Sequence, residues 1–126
     1  MKRVSGQARL RAGSHIRLRL SIMADDLEIA LLTMTFVASD AEALLSNLSK
    51  YVVLTRGVEG CRNVDLCASV AKPGVFIIIE KWDSEDHARD HVSSELMLEM
   101  ANSCQGILTQ APEIDLLEGI SAHDLN

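Results

Sequence analysis

The side chains in this sequence whose chemistry and spacing could serve a reaction are His91, Glu80, Trp82, Arg56 and His87. His91 leads, because an imidazole titrating near about pH 6.5 can take a proton from a phenolic or enolic hydroxyl under neutral conditions. Near a helix end it could equally cap carbonyl groups. Glu80 and Trp82 share parity with Phe76 and Ile78, so on a strand they project to one face and Lys81 to the other. A carboxylate on such a face needs a partner: Glu80 would orient His91 or Arg56, as a member of an ion pair or as a tuner of the base. Trp82 either lines a flat pocket for an aromatic ring or plugs the end of the core. Arg56 either holds a substrate anion or places its charge favourably at a helix terminus. His87 and His91 stand four apart, which sets both rings on one helical face at a zinc-compatible spacing. The zinc-hydrolase pattern has Glu directly after the first His, where Ala88 stands here, so no metal site is assigned. No phosphate loop, dinucleotide fingerprint or nucleophile elbow occurs, and no nicotinamide, flavin or ATP cofactor is expected.

The elements that would position these residues follow from periodicity. Leu27 to Val37 reads as a strand apolar on both parities, with Ile29 and Leu31 on one side and Leu32, Met34 and Phe36 on the other. Ser39-Asp40-Ala41-Glu42 forms a capping box, and Ala41, Leu44, Leu45, Leu48, Tyr51 and Val52 recur at helical spacing to about Leu54. Residues 61 to 70 alternate, with Arg62, Val64, Leu66, Ala68 and Val70 on one face and Cys61, Asn63, Asp65, Cys67 and Ser69 on the other. Lys72-Pro73-Gly74 fits a type II turn, since Pro fixes φ and Gly accepts a positive one, and Val75 to Ile79 continue as a buried strand. Asp83 or Ser84 caps a second helical region that restarts at Ser93-Ser94-Glu95 and runs to about Leu108. Ala111-Pro112 breaks it, and Ile114 to Leu117 form a last strand.

The order β-α-β-β-α-β predicts an α+β, ferredoxin-like fold, two helices on one face of a four-stranded antiparallel sheet. The other face would leave large aliphatics in water, at roughly 1.5 to 3 kcal/mol each in forgone burial. Pairing two sheets face to face removes that exposure, so a homodimer is expected.

Composition narrows the partners. Of twelve Lys and Arg, six lie in residues 1–22, which hold no acid; the remainder carries six basic and all eighteen acidic residues. An acidic body repels phosphate backbones, and nucleic acid is not an expected partner. The boundary at Met23-Ala24-Asp25-Asp26 separates an Arg-rich leader, 1–24, from a domain over 25–126. The leader is expected to be disordered or non-native, with Met23 a candidate start; its Ile16, Leu18, Leu20 and Ile22 alternation would also suit an edge strand, and its Arg content a transit peptide. No membrane-length apolar run occurs. Cys61 and Cys67 on one strand would be ~20 Å apart, beyond disulfide reach, and three free thiols suit the cytoplasm.

Three segments together resemble the antibiotic biosynthesis monooxygenase family of dimeric α+β-barrel proteins: Thr55-Arg56 leading to Glu59-Gly60-Cys61, then Ile79-Glu80-Lys81-Trp82, then Ala88 with His91. The resemblance covers about Leu27 to Glu118. It implies a cofactor-independent monooxygenase acting on a small electron-rich hydroxylated aromatic, a quinol or polyketide-like molecule. His91 and Glu80 would be catalytic, with Trp82, Arg56, Phe76 and Met97 binding substrate and no metal. The family also includes haem-degrading relatives and an isomerase of a signalling sugar, because a fold does not fix chemistry. The haem-degrading branch resembles an Asn, Trp, His arrangement, against which this chain sets Ile29 or its neighbours, His91 and Ala101, so haem cleavage is not expected. Val64 replaces a frequent aromatic, and Leu96-Met97 a frequent His or aromatic pair, which makes the implied pocket greasier. Two alternatives therefore stay open: a non-catalytic dimeric ligand-binding or stress-associated protein, and an isomerase using the same pocket.

Overall fold

The computed structural model describes residues 28–122. The expected leader, and Leu27 at the start of the expected first strand, lie outside the described residues. The chain folds in the order β1 (Ala30–Val37), α1 (Ala41–Thr55), β2 (Cys61–Ala68), β3 (Val75–Trp82), α2 (Glu85–Val92), α3 (Glu95–Ser103) and β4 (Glu113–Glu118). The strands form one sheet in the order β2-β3-β1-β4, every neighbouring pair antiparallel. This is the expected ferredoxin-like α+β architecture, with the second helical region split in two.

Local chemistry sets the boundaries. The N-cap of α1 is Asp40, whose side chain accepts a hydrogen bond from the Ala43 amide at 3.2 Å. The expected box on Ser39 does not form, because the Ser39 amide instead donates to the Ile107 carbonyl. Ser84 and Ser94 cap α2 and α3, accepting from the His87 and Met97 amides. Helix α3 stops at Ser103, short of Leu108: Gly106 takes φ +82°, and Leu108 bridges to Ala38 beside the sheet. The Lys72-Pro73-Gly74 turn forms as expected, with Gly74 at φ +82° and the Val75 amide donating to the Lys72 carbonyl.

Register divides the sheet into two faces. Leu32, Met34 and Phe36 of β1, with Phe76, Ile78, Glu80 and Trp82 of β3, are buried under the helices. Leu44, Leu48, Tyr51 and Val52 of α1 pack onto them, and each large apolar side chain so buried stabilises the fold by roughly 1.5 to 3 kcal/mol. The opposite face carries Leu31, Thr33, Thr35 and Val37 of β1 and Val75, Ile77, Ile79 and Lys81 of β3. The two threonines make it less greasy than the sequence reading held.

One irregularity re-aims a residue of interest. The register of β2 against β3 slips between Cys61 and Asn63, so Cys61 pairs with Trp82 while Val64 pairs with Glu80. Simple alternation puts Cys61 and Val64 on opposite faces; the extra residue at the bulge brings both to the helix side. Just before it, Gly60 has φ +89°, and a Cβ there would fall 2.4 Å from Cγ of His87. Among the described residues, no helix is long and apolar enough to cross a membrane.

Candidate functional site

Antiparallel pairing places Glu80 and Trp82 on the helix face of β3, two residues apart and each fully buried. Above them, α1 supplies Tyr51 and α2 supplies His91, each 2% exposed. The four polar groups meet there. The Tyr51 hydroxyl lies 2.5 Å from Glu80 Oε2 and 2.7 Å from His91 Nε2. The indole Nε1 of Trp82 donates to Glu80 Oε1 at 3.0 Å, so both carboxyl oxygens are engaged. The Trp82 ring packs on the imidazole with centroids 4.6 Å apart and planes tilted by 33°. Sδ of Met97, from α3, closes the cluster 3.7 Å from the Tyr51 oxygen.

Burial governs the charges. Desolvation lowers the His91 pKa from its ordinary 6.5 to about 4, so the ring is neutral at neutral pH. Desolvation also raises Glu80, opposed by its hydrogen bonds from Tyr51 and Trp82. Burial first, then Glu80, push the Tyr51 hydroxyl well above the usual phenol range. Although His91 Nε2 lies only 3.7 Å from Glu80 Oε1, we treat the contact as a hydrogen-bonded cluster and not as an ion pair, because burial drives each group towards its neutral form.

His91 Nδ1 is buried with no hydrogen-bond partner; Thr55 Oγ1, one helical turn beyond Tyr51, is the other such side-chain atom among the described residues. Buried polar atoms are nearly always paired, so an orphan on an imidazole is a departure that calls for a cause.

The other residues singled out from sequence are dispersed. Arg56 reaches the Val64 carbonyl at 3.0 Å and ties the end of α1 to β2 instead of approaching Glu80. Phe76 lies at the far end of β3, paired with Phe36 and Ala68 in the aliphatic core. His87 turns towards Ser84 and Gly60, while His91 turns inward. Among the described residues, no group of three or more His, Cys, Asp or Glu is placed to hold a metal ion. Met97 also borders an apolar cleft of about 380 Å³ between α3 and the β1–β4 edge, lined by Met34, Phe36, Val92, Met97, Met100 and Ile114 among others. Gln105 and the Cys104 thiol are its hydrogen-bonding side chains.

Tyr51 was read from sequence only as part of an apolar helical stripe. Its signal was available: a tyrosine on the buried stripe of a helix must find a partner for its hydroxyl, and Glu80 is the carboxylate on the facing strand.

The fold and this cluster define a class of small α+β proteins in which one antiparallel sheet and its helices enclose a polar centre beside an apolar cleft. The chain belongs to the antibiotic biosynthesis monooxygenase family, whose model matches residues 29–103. No match is found among the curated proteins. Among solved structures, PA3566 from Pseudomonas aeruginosa is 28% identical over 72% of this chain and 93% of that one, with a TM-score of 0.64. Rv0793 from Mycobacterium tuberculosis is 24% identical over 77% and 97% of the two chains, with a TM-score of 0.65. SnoaB from Streptomyces nogalater, described as a cofactor-independent oxygenase, shares the fold at 14% identity over 78% and 96%, also with a TM-score of 0.65.

Proposed function

We propose that this protein is a cofactor-independent monooxygenase of a small, electron-rich hydroxylated aromatic, with His91 as the base. The observation that carries the reading is the unpartnered, buried Nδ1 of an imidazole held neutral. A neutral ring has a lone pair to receive the hydroxyl proton of a substrate. The cleft is of a size that suits a small ligand, and Met97 stands between it and the cluster, lining the cleft and touching the Tyr51 hydroxyl.

The chemistry balances without an added reductant. Loss of a proton to His91 leaves an aromatic anion that gives one electron to oxygen; the two radicals join through a new carbon–oxygen bond, and His91 returns the proton to the peroxide. At a carbon still bearing hydrogen, cleavage of the O–O bond leaves a carbonyl and releases water. Apolar walls keep bulk water from the intermediates. Glu80 and Trp82 position the imidazole, while Arg56 and Phe76 support the scaffold.

Oxygen uptake measured with a panel of quinols and anthrones tests this. The native chain should consume oxygen with at least one of them, and His91→Ala should be slower by about 10²-fold or more. An unchanged rate in the variant removes His91 from the mechanism.

A second reading, ligand binding without turnover, is favoured by one observation: His91, Glu80 and Trp82 are not among the residues that line the cleft. Tight binding of a small aromatic with no oxygen uptake across the panel would decide for it.

We also propose a homodimer formed through the open face of the sheet. Leu31, Val37, Val75 and Ile77 are only half-buried there, and Ile79 and Leu117 are 37% and 47% exposed. Sedimentation at micromolar concentration should show a two-chain species; a stable, folded single chain would overturn the proposal.

A further inference from the structure

The polar cluster contains three proton-carrying groups in series, and the proposed base uses only one of them. The Tyr51 oxygen stands between Glu80 Oε2, at 2.5 Å, and His91 Nε2, at 2.7 Å. A phenol has one proton to donate, so the two short contacts cannot both be donations from Tyr51. With neutral imidazole, two arrangements pass a hydrogen bond through the phenol from one neighbour to the other; a third, in which Glu80 and Nε2 both donate to the phenol oxygen, would turn the phenol hydrogen to the Met97 sulfur at 3.7 Å, a weak acceptor. In the first, Tyr51 donates to an ionised Glu80 and accepts from Nε2–H, which leaves Nδ1 bare. In the second, a protonated Glu80 donates to Tyr51, Tyr51 donates to Nε2, and Nδ1 carries the hydrogen. The first leaves an unpaired acceptor on a ring facing an ionised Glu80 and the second an unpaired N–H on a ring facing a protonated one, so the charge of Glu80, which burial disfavours, selects between them.

The two arrangements differ by one proton, and they are joined by hydrogen bonds already in place. We propose that Tyr51 is the middle of a proton relay, in which a proton accepted at Nδ1 of His91 is matched by transfer from Nε2 to Tyr51 and from Tyr51 to Glu80. The imidazole thus returns to a neutral form with its hydrogen on Nδ1, and the carboxylate ends protonated. Every proton is accounted for: one enters at Nδ1, one leaves Nε2, one crosses the phenol oxygen and one arrives at Glu80. Reversal returns the proton to Nδ1 for delivery to the peroxide.

The surroundings favour this over a lasting imidazolium. Burial disfavours the charged form of His91 and the charged form of Glu80 alike, so moving the proton onto Glu80 removes a charge from the core instead of creating one. From α1 the relay meets Tyr51 and the Thr55 hydroxyl; from β3, Trp82; from α3, the uncharged Met97 sulfur. The remaining titratable neighbour is the Cys61 thiol on β2, pushed up by burial and then by Glu80, with Arg56 and Asp83 the other charges acting on that thiol. Tyr51 and Glu80 are accordingly positioning residues, acting through His91.

This inference deepens the oxygenase reading and rests on it for its role in turnover, but its test does not need a substrate. The full chain with ¹⁵N-labelled histidine is titrated between about pH 5 and about pH 9, and the tautomer of His91 is read from its ring nitrogen resonances. The native protein should hold the hydrogen on Nε2 at the alkaline end and switch to Nδ1 on the acid side, without passing through imidazolium. In Tyr51→Phe and in the near-isosteric Glu80→Gln, a single tautomer should persist over the whole range. A native protein with one tautomer throughout, or a switch that survives unchanged in either variant, overturns the relay. If Tyr51→Phe fails to fold, Glu80→Gln alone decides. The switch without oxygen uptake on any substrate leaves the relay standing and sinks the oxygenase; oxygen uptake without the switch does the reverse.

Discussion

Replacing Trp82 with alanine is expected to lower the unfolding free energy by about 4 kcal/mol. The side chain is fully buried, and its ring covers the imidazole at 4.6 Å, so truncation opens a cavity that the paired strands β2 and β1 cannot close by collapsing. It also removes the indole N–H from Glu80 Oε1, leaving that oxygen buried without its donor. A domain of this size has about 5 to 15 kcal/mol in total, so the variant should sit at the margin of folding. Trp82→Phe separates the two contributions: the ring largely remains, and the loss should fall to about 1 to 3 kcal/mol for the undonated oxygen. Urea titrations of the three proteins measure both. An alanine variant within about 1 kcal/mol of the native chain would mean that Trp82 is not a core member, contrary to its burial.

Acid should destabilise the fold through His91, by an amount that a single substitution brings into view. Its folded pKa of about 4 lies below the ordinary 6.5. A depressed folded value means that the unfolded chain binds the proton more readily, so the contribution of His91 is complete above the unfolded pKa and is lost as pH falls through the folded one. The window is therefore pH 6.5 down to about 4, and the loss amounts to roughly 3 kcal/mol. Glu80 works in the opposite sense: its raised folded pKa gives a contribution present at acid pH and lost as pH rises through the folded value. The native curve mixes the two. The difference in unfolding free energy between the native chain and His91→Gln follows the imidazole together with whatever its loss does to Glu80, and it should shrink by roughly 3 kcal/mol between about pH 7 and about pH 4. Parallel curves would show that the ring takes up its proton in the fold as readily as in the unfolded chain.

The fold was legible because its signals were local. The apolar run of β3 with Glu80 and Trp82 in phase, the serines that open α2 and α3, and the Lys72-Pro73-Gly74 turn each state their own geometry. The resemblance then supplied the order in which they assemble. The site was only half legible. Parity brought Glu80 and Trp82 to one face, and His91 met them, but Arg56 went to the Val64 carbonyl and Phe76 to the far end of the sheet. Those choices depend on which strand lies beside which, and no spacing within one element contains that. The position of Cys61 was missed for the same reason: a bulge between Cys61 and Asn63 is a property of the pairing with β3, not of the β2 sequence. Tyr51 was missed because a hydroxyl on an apolar stripe declares a need for a partner without saying which.

The open side of the sheet has a lateral pattern. Its two middle strands present Leu31, Val37, Val75, Ile77 and Ile79 with Thr33 and Thr35 among them and Lys81 at one end, while β2 on one border offers Asn63 and Asp65 and β4 on the other offers Glu113 and Asp115 before Leu117. An aliphatic lane fenced by carboxylates is a directional adhesive. In the proposed dimer two copies would gain by aligning lane on lane, and would lose wherever a border of one lay along a border of the other and acid met acid. Such a dimer would be restricted in the angles at which its two sheets meet, and added salt, by shielding the fences, should relax that discrimination more than it strengthens the hold of the lane.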